Sequence, residues 1–94
     1  MATTKKRWLH VGFSWPSGVD PTDFEPVFNK AGDWIKYSRN CWLIYSSVDT
    51  GTWADRIKAI PGMEDANIFV AEVDLIKSDG FLSDWMWNKL YEKD

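Results

Sequence analysis

The chain has few of the residues that build disulfides and metal sites. It contains one cysteine, Cys41, and one histidine, His10, in 94 residues. A single cysteine excludes an internal disulfide and any zinc site built from several cysteines, and a single histidine excludes a site of paired histidines. No apolar run approaches the roughly 20 residues of a membrane span, and no secretory leader precedes the first predicted strand. We therefore expect a cytoplasmic protein with no membrane contact.

An excess of positive charge is also missing. The formal net charge of −3 argues against a protein dedicated to wrapping nucleic acid. With 45% apolar and 27% charged residues, the composition is typical of a globular domain and not of a disordered chain. The length predicts one domain, with a flexible basic arm over 1–6 and a tail helix within 80–94.

Tryptophan, in contrast, is abundant, with seven copies in the chain. These large rings are rarely left in solvent, so each needs cover from the core, the tail, a partner or a ligand. The positions of the rings on the predicted sheet therefore decide which surface is the candidate binding surface.

Alternation of apolar and polar residues predicts four strands, at 7–15, 33–38, 41–47 and 67–75. In the first strand, Leu9, Val11 and Phe13 form the core face. The second and third strands are joined by the two-residue turn Arg39-Asn40, in which Asn tolerates a positive φ. The fourth strand is apolar on both faces, which is typical of a central strand.

Helices are predicted between the strands and after the last one. Asp23 is the expected N-cap of the first helix, because Pro26 then falls in the first turn. The second helix is predicted to start at Thr52 with Asp55 in a capping box, and Ser83 is predicted to cap the terminal helix. The order predicts an α+β, ferredoxin-like βαββαβ fold, with an antiparallel sheet, two helices on one face and a short C-terminal helix.

The helix-free face of this sheet is the predicted binding surface. Trp8 and His10 point away from the core face of their strand, and pairing with the third strand is expected to bring further aromatic residues beside them. The predicted binding face consists of Trp8, His10, Trp34, Lys36, Arg39, Trp42 and Ile44. Its cover is the tail helix, a second copy of the chain, or single-stranded nucleic acid stacked on the rings.

The tail and a second copy are favoured over nucleic acid, because buried aromatic residues dominate cores and permanent interfaces. Nucleic acid needs nearby cations, and only Lys36, Arg39 and the basic residues 5–7 supply them. The Lys/Arg-Gly-aromatic run of RNA-recognition strands is absent from the predicted third strand. The expected partner is therefore a second copy, in a homodimer.

Residues 32–44 (GDWIKYSRNCWLI) resemble the core of small SinR-type proteins, which are similar to the CRISPR-associated spacer-acquisition endonuclease subunit. The resemblance continues through the aliphatic strand 68–74 (IFVAEVD) and the Trp-bearing segment 80–87 (GFLSDWMW), so it spans roughly residues 8–91. It implies a ferredoxin-like fold, homodimerisation, and descent from proteins that bind or cleave nucleic acid with a divalent metal.

The chain departs from the nuclease members of that family at one position. In those members a Tyr/Phe-Asp pair ends the first strand, and the paired aspartates of a dimer hold the metal. Here Ser14 follows Phe13, and a neutral hydroxyl is a poor ligand for Mg²⁺. Asp20, Asp23 and Asp74 are the candidate replacement ligands. We expect no cofactor, with magnesium needed only if the chain is a nuclease.

The sequence contains no complete catalytic constellation. His10 has only Cys41 or Ser14 as a nucleophile to activate, and no glycine-rich phosphate loop is present. We therefore expect a non-catalytic binding or assembly module that acts through an aromatic sheet face. The alternatives are a metal-dependent endoribonuclease or other nuclease and a single-strand binder, and the sequence shows no evident small-molecule site.

Overall fold

A four-stranded antiparallel sheet carries the other elements of the fold. The computed structural model describes residues 5–93. The strands are β1 (Arg7–Phe13), β2 (Asp33–Ser38), β3 (Cys41–Ser46) and β4 (Ile68–Glu72), in the spatial order β2-β3-β1-β4. The helices are α1 (Glu25–Phe28), α2 (Thr50–Lys58) and α3 (Asp84–Glu92), with short 3₁₀ helices at Pro21–Asp23 and Leu75–Lys77.

The predicted α+β class is confirmed, but the predicted place of the last strand is wrong. β4 lies at the edge of the sheet, and β1 and β3 are the central strands. The two apolar faces of β4 have different surroundings. Ile68 and Val70 pack on the main core, whereas Phe69, on the other side, is 67% exposed. Hydrophobicity on both faces therefore does not require burial on both faces.

Two helical segments begin earlier than predicted. Asp20, not Asp23, caps the first segment, the 3₁₀ helix Pro21–Asp23. Its Oδ1 accepts hydrogen bonds from the backbone N–H and the hydroxyl group of Thr22. Asp49 caps α2 by accepting from the Thr52 N–H at 2.6 Å, so Thr52 lies inside the helix and Asp55 has no capping-box role. In both places an earlier aspartate satisfies the open N–H groups of the first turn.

The hairpin between β2 and β3 is at its predicted position, with Ser38 paired to Cys41 across the turn. The predicted positive φ at Asn40 is wrong, because no non-glycine residue in the described chain has one. Instead, the register shifts between Lys36 and Ser38, as in a β-bulge. The Asn40 side-chain amide donates to the Phe13 carbonyl at 2.8 Å and thereby ties the turn to the end of β1.

We call the side of the sheet that packs on α1 and α2 the helix face. Leu9 and Val11 of β1 lie there with their cross-strand partners Ile44 and Trp42. Phe28 of α1 stacks on Trp42, with ring centroids 4.1 Å apart. The buried residues of this core are Leu9, Val11, Phe13, Val19, Phe24, Phe28, Trp42, Ile44, Trp53, Ile57, Ile60 and Met63.

The prediction of one shared binding face is wrong. Paired residues of antiparallel strands project from the same face, so Trp42 and Ile44 lie with the core residues of β1 and not with Trp8 and His10. Trp34 and Lys36 of β2 were expected on the same face as Trp42 and Ile44, and this is right, since they are their cross-strand partners. The error concerns β1 and β3 only. The chain between these strands passes through α1 and β2, so no tight turn fixes their register, and β3 is apolar on both faces.

We call the opposite side of the sheet the tail face, because α3 packs on it. The Trp8 indole Nε1 donates to the Leu90 carbonyl at 3.1 Å, and Lys89 pairs with Asp33 at 2.9 Å. The buried residues here are Trp8, Ile35, Leu43, Leu75 and Leu90. Of the three covers left open by the sequence, the tail helix is therefore present in the structure.

The predicted N-terminal arm is described only in part. Residues 1–4 lie outside the described residues, whereas the Lys6 side chain lies against Gly32. Among residues 5–93, none of the helices has the length and apolar character needed to cross a membrane.

Docking of α3 predicts a stability effect at Leu90, which is 2% exposed. Leu90→Ala removes apolar contacts with the tail face, and we expect the free energy of unfolding to fall by about 2–4 kcal/mol. Urea unfolding followed by tryptophan fluorescence measures it. The control is Glu92→Ala, an exposed position of the same helix, where we expect a change below about 0.5 kcal/mol. Equal effects of the two variants would contradict the docking.

Candidate functional site: a cavity on the tail face

The tail helix covers only part of the tail face, and a cavity of about 360 Å³ remains beside it. His10, Tyr37 and Leu43, from three neighbouring strands, form its floor. Trp87 of α3 forms one wall, and the loop 78–82 forms the rim. We call this space the tail-face cavity.

The polar part of the cavity floor is a hydrogen-bonded pair, in which His10 Nε2 and Tyr37 Oη are 2.5 Å apart. Burial lowers the pKa of His10 below 6.5. Burial, with a smaller contribution from Cys41, raises the pKa of Tyr37 to about 12. At neutral pH both groups are therefore uncharged. The imidazole tautomer sets the direction of this hydrogen bond: the phenol donates when Nε2 is unprotonated, and Nε2–H donates when it carries the proton.

Gly12 provides the space in which the His10 ring lies. Residues two apart on a strand share a face, so a side chain at this position would stand next to the imidazole. A Cβ there would be 3.2 Å from His10 Cε1, which is closer than an ordinary contact. The glycine therefore allows the ring to lean along β1.

Two exposed aromatic side chains lie on the tail face. Phe81, in the rim loop, is fully exposed. Phe69 of β4 lies on the same face, because its cross-strand partner is Gly12. Phe81 lines the cavity and so extends its apolar lining onto the molecular surface, and exposed apolar surface often marks interaction sites.

Four of the predicted site residues meet in one cluster, three of them on the helix face and the fourth in the adjacent turn. Lys36 Nζ lies 5.2 Å from the Trp42 ring centroid and 5.9 Å from that of Trp15, while Trp34 and Trp42 have centroids 5.0 Å apart. The Arg39 guanidinium, in the turn, lies 5.4 Å from the Trp15 ring. We call these five residues the cation–aromatic cluster. The cations lie over the rings, so they compete with any base that would stack there.

The remaining predicted face residues lie apart from this cluster. Ile44 is fully buried in the main core, and Trp8 is 3% exposed beneath α3. Neither side chain is accessible to a ligand in this structure. His10 is the one predicted face residue that lines the tail-face cavity.

The three candidate metal ligands do not come together. Asp20 and Asp74 each cap a 3₁₀ helix by accepting from the N–H two residues later, and Asp23 lies within the first of these helices. Hydrogen bonding lowers the pKa of Asp20. Within residues 5–93, no three His, Cys, Asp or Glu side chains form a group that could hold a metal. Ser14 has a local role, since its Oγ accepts from the Asn67 N–H at 2.9 Å.

Several cavity residues were missed from the sequence. Tyr37 and Leu43 alternate along β2 and β3 with Lys36 and Trp42, so they lie on the tail face. The correct register of β1 against β3, in which Leu43 is paired with His10, would have placed them in one group with His10. Asp79 lies in a loop and Trp87 on the tail. Their approach to the sheet depends on how α3 docks, and the sequence left the tail helix as one of three covers of this face.

Burial of His10 predicts a loss of stability on acidification. Its pKa in the folded protein lies below 6.5, so the unfolded chain binds the proton more readily and the free energy of unfolding falls as the pH drops through about 6.5. We expect a lower urea midpoint at about pH 5.5 than at about pH 7.5. The decrease should be smaller in His10→Gln, which does not titrate in this range. An equal decrease in both proteins would contradict the effect of burial.

Comparisons with known proteins give no relative. No family model, no curated protein and no solved structure matches the chain. The resemblance to SinR-type proteins therefore stays a prediction from sequence.

Proposed function

We propose that the protein is a non-catalytic, homodimeric binding module with a ferredoxin-like βαββαβ fold, and that it binds its ligand in the tail-face cavity. The order of the elements and the sheet order β2-β3-β1-β4 support the fold assignment. The observation that carries the function is the cavity itself. It opens on a face that α3 otherwise covers with packed apolar side chains.

The composition of the cavity favours a small ligand. Its volume of about 360 Å³ lies at the lower end of the range for small-molecule pockets. Leu43, Val73 and Trp87 supply apolar surface, and His10 and Tyr37 supply a few polar atoms. An apolar lining with few polar groups is the usual arrangement in such pockets, because the polar atoms orient the ligand that the apolar walls hold.

The state of the polar pair supports binding over catalysis. A general acid or base works best with a pKa near the working pH. The pKa of Tyr37 is raised to about 12, so its phenol gives up a proton reluctantly at neutral pH. Tyr37 also occupies Nε2, one of the two ring nitrogens of His10.

The two alternatives from sequence gain less support. A nuclease would need carboxylates close together, but Asp20 and Asp74 serve as caps of separate 3₁₀ helices. A single-strand binder would need accessible ring faces beside cations. In the cation–aromatic cluster, Lys36 and Arg39 already lie over the rings, and Trp42 is 5% exposed.

Filling the cavity tests the proposed function. Binding of indole, followed by the NMR chemical shifts of Leu43 and Trp87, should saturate in the native protein. Val73→Phe places a ring in the cavity, and we expect it to weaken indole binding at least about tenfold. Ile76→Phe adds the same ring at a position that is 92% exposed and outside the cavity, so binding should persist. Indole shifts spread evenly over the surface would contradict the proposal.

The two exposed aromatic side chains of the tail face lead to a prediction about assembly. Burial of Phe69 and Phe81 against a second copy would remove a large apolar area from water. We expect sedimentation to show a dimer whose population rises with concentration. Replacing both residues by Ser should weaken the dimer at least about tenfold, and Ile76→Ser serves as the control. A monomer at concentrations of several hundred micromolar would contradict the homodimer.

A further inference from the structure

The formal charge in the lining of the tail-face cavity is negative. Asp79, in the rim loop, carries the only formal charge among the described residues that line it, and no lysine or arginine lines it. An anionic ligand would be repelled by this carboxylate and would find no cationic partner. A cationic ligand would gain an opposite charge beside an apolar wall, where charge interactions are stronger than in bulk water.

The hydroxyl oxygens of the cavity can accept hydrogen bonds from a ligand. The Ser78 hydroxyl donates its proton to the Asp74 carbonyl at 2.6 Å, and the Tyr37 oxygen is hydrogen-bonded to His10 Nε2. A hydroxyl has one proton and two lone pairs, so each of these oxygens keeps at least one free lone pair. The Asp79 carboxylate accepts from the Gly80 N–H at 2.8 Å and, with about four lone-pair positions, can accept further bonds. These side chains therefore offer acceptors to a ligand.

A primary ammonium group is the complement of such a site. It has three donors, no acceptor and a positive charge. A carboxylate brings a negative charge that the Asp79 carboxylate repels, and a neutral alcohol or amide gains no charge interaction with it. The single formal charge of the lining thus favours the ammonium group.

The apolar walls define the rest of the ligand. Leu43, Val73 and Trp87 are well suited to a flat hydrocarbon ring, because aromatic rings pair with an indole by stacking or edge contact. The volume of about 360 Å³ has room for a ring of one or two cycles with a short side chain.

We infer that the tail-face cavity binds a small primary aromatic amine, with its ring against Leu43, Val73 and Trp87 and its ammonium group held by acceptors that include Asp79. This inference rests on the proposed function and specifies its ligand class. Asp79 sets the preference for positive charge, and Tyr37 contributes an acceptor from the cavity floor.

Three probes with the same ring and different charge test the inference. Tryptamine is a cation, 3-methylindole is neutral and indole-3-acetate is an anion at neutral pH. Calorimetric titration of the full chain should give the affinity order tryptamine, 3-methylindole, indole-3-acetate. We expect tryptamine to bind at least about tenfold more tightly than the anion, since it gains a charge-assisted hydrogen bond that the anion lacks.

Two variants connect the preference to the proposed acceptors. Asp79→Asn keeps a carbonyl oxygen that can accept from Gly80 and removes the charge. It should weaken tryptamine about three- to tenfold and leave 3-methylindole unchanged. Tyr37→Phe should weaken tryptamine by a similar factor. Asp65→Asn, an exposed position outside the cavity, makes the same change in net charge and should leave all three affinities unchanged.

The outcomes separate this inference from the proposed function. Equal affinities for the three probes, all lowered by Val73→Phe, would overturn the amine preference and retain a binding cavity. A tryptamine preference that Asp79→Asn and Asp65→Asn reduce equally would reflect net charge alone and would also overturn the inference. Failure of every probe to bind at the cavity would overturn both.

Discussion

The contact between Trp8 and the last turn of α3 sets the form of the tail face. The indole packs in a cluster with Leu43 and Leu90 and donates its N–H to the carbonyl of Leu90. A buried indole that lacked a partner for this N–H would be costly, so the helix backbone supplies both apolar cover and an acceptor. Without the docked tail, the face would expose this ring and the apolar residues around it. The tail-face cavity exists because α3 docks beside His10 and Tyr37 and leaves them in contact with solvent.

Much of the secondary structure was predictable from local patterns. The strands, the hairpin turn and the terminal helix follow from alternation, turn residues and helix start signals that act within a few residues. The caps of the first two helical segments were misplaced because Asp20 and Asp49 lie just before better-matched motifs, whereas the N-cap position of α3 is Ser83, as predicted. Local signals identify an element more reliably than the residue at which it begins.

The site was harder to predict because it depends on relations between distant segments. His10 and Tyr37 are 27 positions apart and meet only through the order of strands in the sheet. The register of β1 against β3 decides which tryptophans share a face, and no short turn specifies it. Trp42, expected on the exposed side, lies in the core against Phe28 as a result. The sequence could indicate that the rings needed cover, but it could not indicate which cover each one has.

The segment 73–83, which links β4 to α3, has two structural roles. It spans the distance over which the tail must return to the sheet, and residues 78–82 within it form the rim of the cavity. A longer linker would widen the entrance but hold the helix less firmly, and a shorter one would do the reverse. Insertions and deletions here therefore trade the width of the cavity entrance against the anchoring of α3 on the sheet.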